Sequence, residues 1–226
     1  MADKFYLNFI KDDRWKYIVE GLGVTLQITF AAVIIGIVLG FLVAVVRATY
    51  DKTGKLKVLN WICNVYLTVF RGTPIVVQLM IIYYVIFAST DISKVVAAIL
   101  AFGINSGAYV AEIIRSGIMS IDNGQFEAGR SLGFNYIQTM WHIVLPQALK
   151  NVLPALGNEF IVLLKETSVS GYIALQDLTK GGDIIRSRTY DAFMPLIAVA
   201  LIYLVMVMVF SKLLEVLERR LRNSER

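Results

Sequence analysis

Apolar residues in this chain come in long unbroken runs separated by short charged stretches. Five such runs cover residues 22–46, 58–88, 95–114, 149–164 and 193–210. A helix needs roughly 20 apolar residues to cross the hydrocarbon layer, whereas barrel strands would alternate in segments of about ten. The pattern predicts an all-α integral membrane protein with about five transmembrane helices, in one domain covering residues 1–226. The second run is too long for one straight span, and Gly72 and Pro74 predict a break in it. The fourth run is short. The first residues mix charge with Phe5, Tyr6, Phe9, Trp15 and Tyr17. They read either as an amphipathic segment lying at the interface or as a frayed tail. They show no charged start, short apolar centre and small-residue cleavage site of a secretion signal.

Composition agrees with the runs: 57% of residues are hydrophobic, above the range of ordinary soluble domains. The net charge of +5 would raise nucleic acid as a partner of a soluble protein, but here Lys and Arg lie between apolar runs, as loop charges do. Cys63 is the only cysteine, which excludes an intrachain disulfide, and His142 is the only histidine, which excludes a His-rich metal site. His142 reads instead as an interfacial side chain near Trp141. If the C-terminus is cytoplasmic, the inner loops hold twelve Lys and Arg (Arg226 the last of them) and the outer segments nine, with Arg71 left inside the membrane. That bias favours an inner C-terminus, though narrowly.

The connection between the third and fourth runs, residues 117–147, is long, moderately polar and built to fold. Asn123-Gly124 is a turn pair. Residues 125–132 predict a short helix, Gly133 its end in the left-handed conformation, and Asn135 the cap of the next helix. Pro146 predicts a kink where that helix enters the membrane. No phosphate loop is discernible: Gly54-Lys55 is followed by Leu56, and Thr49 stands where the first glycine of the motif belongs. No Ser-His-Asp set is discernible either, so the chain reads as a transport component and not an enzyme.

The spacing in that loop is specific. Glu127-Ala128-Gly129 is followed after three residues by Gly133, and after nine more by Ile143, Val144, Leu145 and Pro146. This resembles the EAA motif of ABC importer permeases, with Gly129 where the family usually has Ala. Other stretches resemble the polar amino acid permeases in the right order: residues 21–29 (GLGVTLQIT), Phe70-Arg71-Gly72-Thr73-Pro74 with Val77-Gln78, and Asn158-Glu159-Phe160 with residues 164–168 (LKETS). The resemblance implies a type I ABC importer permease fold in a bacterial-type cytoplasmic membrane. It implies a cytoplasmic coupling helix, with Glu127, Ala128, Gly129, Gly133, Leu145 and Pro146, that docks in a groove on a separate ABC ATPase subunit. The loop and C-terminus would then be cytoplasmic and the N-terminus outside. It further implies a second copy or sister permease, an extracellular or periplasmic binding protein, no cofactor in this chain, and ATP with Mg on the ATPase.

Polar side chains inside membrane helices are costly and so are candidates for the pathway. Asn105, Tyr109, Glu112 and Ser116 share one helical face, open to a pathway role or to helix–helix hydrogen bonding. Glu159, with Asn158 beside it, lies deep in the fourth run. Glu166 shares its face, with Lys165 near the outer boundary. Thr73, Gln78 and Arg71 flank the break, where freed backbone groups can face a cavity. Arg71 reads either as a partner for a substrate carboxylate or as a structural pair to a neighbouring helix. Residues 171–191 form a loop of mixed charge that, by the resemblance, helps meet the binding protein. The expected function is ATP-driven import of polar amino acids by alternating access, with Glu159 and Glu112 tilting it toward arginine, lysine or histidine. The alternatives are a stand-alone channel or secondary transporter, and a membrane scaffold.

Overall fold

The computed structural model describes residues 2–223, so Arg226 lies outside the described residues. All described elements are helical. A helical turn α1 (Ala2–Phe5) leads through two distorted turns into α2 (Trp15–Thr53). Then come α3 (Lys57–Gly72), α4 (Ile75–Ile81) and α5 (Lys94–Met119). The connecting segment contains α6 (Asn123–Ser131) and α7 (Tyr136–Thr139), which continues into α8 (Leu145–Glu166). Two further helices, α9 (Leu178–Thr189) and α10 (Phe193–Asn223), complete the described chain.

Three helices, α2, α5 and α10, are long and apolar enough to cross a membrane, and α3 with residues Ile75–Ile86 makes a fourth candidate, bent by 112° at its break. Helix α8 holds the expected fourth span. It carries Gln147, Lys150, Asn151, Asn158 and Glu159 and is not among those candidates. Of these, Glu159 is buried against neighbouring helices, whereas Asn151 and Asn158 are exposed. Helix α5 is the axis of the bundle: 67% of its apolar window is buried, against 39% for α2 and 11% for α10. Buried Ala97, Ala98, Ala101, Gly103, Ala108 and Ala111 on α5 let α2 approach closely, which is how membrane helices gain packing without a hydrophobic drive. Ile28, Leu79, Phe102 and Leu163 bring α2, α4, α5 and α8 into one core. Val43, Cys63, Leu67 and Ala108 join α2, α3 and α5 in a second.

The segment 171–191 is not a plain loop. Asp177 accepts from the Thr179 and Lys180 amides and starts α9, whose Leu178 and Ile185 pack against Ile18 of α2 and Val199 of α10. Close approach is mutual, with Gly21 of α2 against the Asp177 carbonyl and Gly181 of α9 against the Tyr17 carbonyl. The N-terminal residues dock on this layer rather than fraying. Buried Asn8 donates to Asp191 at 3.1 Å, and Arg14 folds back on the Leu7 carbonyl at 2.7 Å.

Candidate functional site

The break in the second apolar run comes first. Helix α3 ends at Gly72, Thr73 is extended, and Pro74 starts the next element without a backbone donor. The last carbonyls of α3 therefore lack helical partners. Buried Gln78 answers them: its Nε2 donates to the Phe70 carbonyl at 3.0 Å, the Thr73 carbonyl at 3.0 Å and Thr73 Oγ1 at 2.8 Å. Asn105 Nδ2 on α5 adds bonds to the Phe70 carbonyl at 3.0 Å and to Gln78 Oε1 at 2.8 Å. Thr73, Gln78 and Asn105 thus converge, and they converge on the broken backbone.

The next residue on α5, Ser106, was not singled out by the sequence. Its hydroxyl donates to Glu159 Oε1 at 2.9 Å across the α5–α8 contact. Glu159 is 8% exposed, and its second carboxylate oxygen has no hydrogen-bond partner among the described residues. The only signal in the sequence was indirect: a carboxylate buried among helices needs a donor, and Ser106 lies beside the polar face already identified. Neighbouring Asn158 is exposed.

Glu112 stands apart from this pair. Its Oε1 accepts from Arg115, one turn on, and its Oε2 lies 3.4 Å from Arg47 Nη1 of α2 and 3.7 Å from Arg71 Nη1 at the end of α3. Arg71 also lies over the Tyr109 ring, 5.7 Å from its centroid. Three guanidinium groups therefore surround the carboxylate that the sequence offered to a cationic substrate. In the sequence Arg47 and Arg115 sit at the ends of apolar runs, as loop charges do, and only the fold brings them onto Glu112.

The segment between α5 and α8 folds as a unit. Asp122, not a turn at Asn123-Gly124, starts α6 by accepting from the Gly124 amide at 2.6 Å. Gly133 ends it with φ +78°, in the left-handed region that glycine enters freely. Asn135 and Gln138 then form a reciprocal capping box for α7. Pro146 stands in the first turn of α8. It lacks the amide that would bond back one turn, and the helix widens into a π-helical turn over Met140–Val144 just before it. Ile121, Phe126, Val144 and Ala148 close a small core under the segment. Gln147 donates to Gln125 at 3.1 Å across it. Gly129 is buried facing Thr139, while Glu127, Ala128, Arg130 and Ser131 are exposed. Leu145 is half-buried and Pro146 exposed at the start of α8. The outer face of α6, with Glu127, Ala128, Arg130 and Ser131, is thus small, charged and exposed.

Among the described residues, no group of three or more His, Cys, Asp or Glu side chains is placed to hold a metal ion.

Residues 36–223 match the family model described as the binding-protein-dependent transport system inner membrane component. A putative glutamine transport system permease protein of Rickettsia typhi is 40% identical over 220 residues, covering 96% of each chain. The arginine transport system permease protein of Bacillus subtilis is 39% identical, covering 92% of this chain and 94% of its own. A crystal structure of an amino acid ABC transporter with histidines superposes with a TM-score of 0.84 at 45% identity, covering 91% of this chain and 94% of that one.

Proposed function

Since this chain belongs to the family of binding-protein-dependent transport system inner membrane components, we propose that it is the membrane-spanning subunit of an ABC importer for polar amino acids. It borrows its ATPase from a separate subunit and works by alternating access beside a second copy or a sister permease. The observation that carries this reading is the folded segment between α5 and α8. It has its own core and caps, yet leaves Glu127, Ala128 and Ser131 exposed on α6. A loop without a docking role has no need of such order. In this reading α6 is the coupling helix, with Gly129, Gly133, Leu145 and Pro146 setting its angle to the bundle. The loop is cytoplasmic, the N-terminus is outside, and a binding protein delivers the substrate.

The substrate path runs between α5 and α8 beside Glu159. Ser106 holds one carboxylate oxygen and leaves the other for an ammonium group, whether of the α-amino group or of a cationic side chain. Glu112 is engaged by arginines, so the tilt toward basic amino acids rests on Glu159 alone. The relatives named for glutamine and for arginine frame the two choices.

The test is reconstitution with the cognate ATPase and binding protein, and a panel of amino acids scored by stimulated ATP hydrolysis and uptake. Replacing Glu127 and Gly133 together is expected to uncouple hydrolysis from uptake. Normal uptake by that variant would overturn the coupling assignment. Uptake needing no ATP would favour a stand-alone transporter. Glu159→Gln is expected to weaken stimulation by basic amino acids, and unchanged stimulation would remove Glu159 from the path.

A further inference from the structure

The arginine cluster around Glu112 is not balanced. Arg47, Arg71 and Arg115 face one carboxylate, that of Glu112, and Asp51 adds its field at Arg115. Three positive charges thus meet two negative ones. The hydrogen bonds are more lopsided still. Arg115 holds Glu112 Oε1 through Nε and Nη2. Arg47 reaches Oε2 only at 3.4 Å, and its Nε is buried without a partner. Arg71 makes no hydrogen bond among the described residues: it has a loose contact with Oε2 at 3.7 Å and the Tyr109 ring. Its side chain is 42% exposed, so it is reachable.

A guanidinium carries five donors in a fixed fork that matches a carboxylate. Leaving such groups unsatisfied within membrane-spanning helices is costly. The cluster also has a position. It sits about two turns before the end of α5, toward the segment 117–147, and on the face that carries Asn105 and Tyr109.

We propose that Arg47 and Arg71 form a carboxylate-binding site at this end of the bundle, with Arg115 holding Glu112 beside them, and that it receives the carboxylate of the amino acid after it leaves Glu159. This last step rests on the amino acid reading above. Glu112 acts as a brake on the site, because its Oε2 competes with the incoming carboxylate for the same two guanidinium groups. The site and Glu159 are complementary in charge. One meets the ammonium end of a zwitterion and the other the carboxylate end.

The test uses the purified full chain in detergent, without ATPase or binding protein, titrated with carboxyl-13C-labelled glycine and acetate at fixed ionic strength. Both signals are expected to broaden saturably, and each carboxylate is expected to displace the other where equal chloride does not. Arg71→Gln, which breaks no hydrogen bond, is expected to fold and to weaken binding at least tenfold. Glu112→Gln is expected to tighten it about tenfold. No saturable broadening with the wild type, or equal broadening with Arg71→Gln, overturns the site. If Glu112→Gln does not fold, the comparison with Arg71→Gln decides alone. Broadening of acetate but not glycine overturns the assignment to the amino acid. Because no ATP hydrolysis is read, a negative result leaves the importer reading to its own test.

Discussion

Gly129 stands where the resembled motif usually carries alanine, and its neighbour in space gives the reason. A Cβ at Gly129 would lie 2.6 Å from both Cγ2 and Oγ1 of Thr139, which is itself buried and bonded to the Asn135 carbonyl at 3.0 Å. Threonine is β-branched and stiff at χ1, so it cannot easily turn away. Gly129→Ala alone is therefore expected to loosen α6 from α7, by about 1–3 kcal/mol as overpacking, seen as faster hydrogen exchange in 117–147. Gly129→Ala with Thr139→Ala is expected to restore wild-type protection. Equal protection in the single variant would break the argument. The substitution was visible in the sequence, but its reason was not, because it depends on a residue ten positions away on another helix. Asp177 gives a second local prediction. Burial pushes its carboxyl up to about 6 from an ordinary 3.8, against the hydrogen bonds from the Lys180 and Thr179 amides. The folded chain then holds this proton more tightly than the unfolded chain. Stability from this group is greatest below about pH 4 and is lost as pH rises through about 6, by about 3 kcal/mol in all. Asp177→Asn keeps a good cap and is expected to flatten the melting temperature against pH between 4 and 7 and to melt higher than wild type at pH 7. An unchanged slope would show that the carboxyl titrates normally.

The α3–α4 break shows what an element needs beyond its own sequence. Gly72 and Pro74 announced it, but the groups that satisfy it come from Gln78, one turn into α4, and from Asn105 on α5. Such pairing is long-range and leaves no periodic trace. Gln78→Ala is expected to leave the Thr73 carbonyl without its side-chain donor and the Phe70 carbonyl with Asn105 alone, costing about 1–3 kcal/mol. For a chain of this size that lowers the melting temperature by roughly 5 °C. Unchanged melting would mean that the Gln78 amide is free for a ligand. Each of the five apolar runs falls largely on helix, the second shared by α3 and α4, because long apolar stretches in a bilayer have no other way to satisfy their backbone. The helix ends were not legible. Helix α2 runs on to Thr53 and α10 to Asn223, since polar residues beyond the hydrocarbon carry no apolar signal. Helix α9 was missed altogether. Its short apolar face of Leu178 and Ile185 is interleaved with Lys180, Asp183, Arg186 and Arg188, and intrahelical pairs such as Lys180–Asp183 at 2.9 Å read in the sequence as a merely charged loop.

In the molecule as a whole, the proposed importer depends on which end of the bundle faces the ATPase. Loop charges alone nearly tie, at twelve against nine. The fold groups the chemistry more sharply than that count. Asp177, α9 and the docked N-terminal residues form one end, and α6, α7 and the core around Phe126 form the other. The second end offers α6 with its small, exposed outer face for a partner, so it is the end expected in the cytoplasm. Ser131 on α6 and Ser187 on α9 are both exposed, and both are replaceable by cysteine with little change in shape. Cys63 is only 7% exposed and is expected to remain silent. In intact cells, a membrane-impermeant maleimide is expected to label Ser187→Cys and not Ser131→Cys, and permeabilisation is expected to add the second. The reverse pattern would turn the chain over in the membrane and take α6 away from ATP. Labelling of both in intact cells would mean that the two ends are not separated by a bilayer, which would undo the assignment of α2, α5 and α10 as spans.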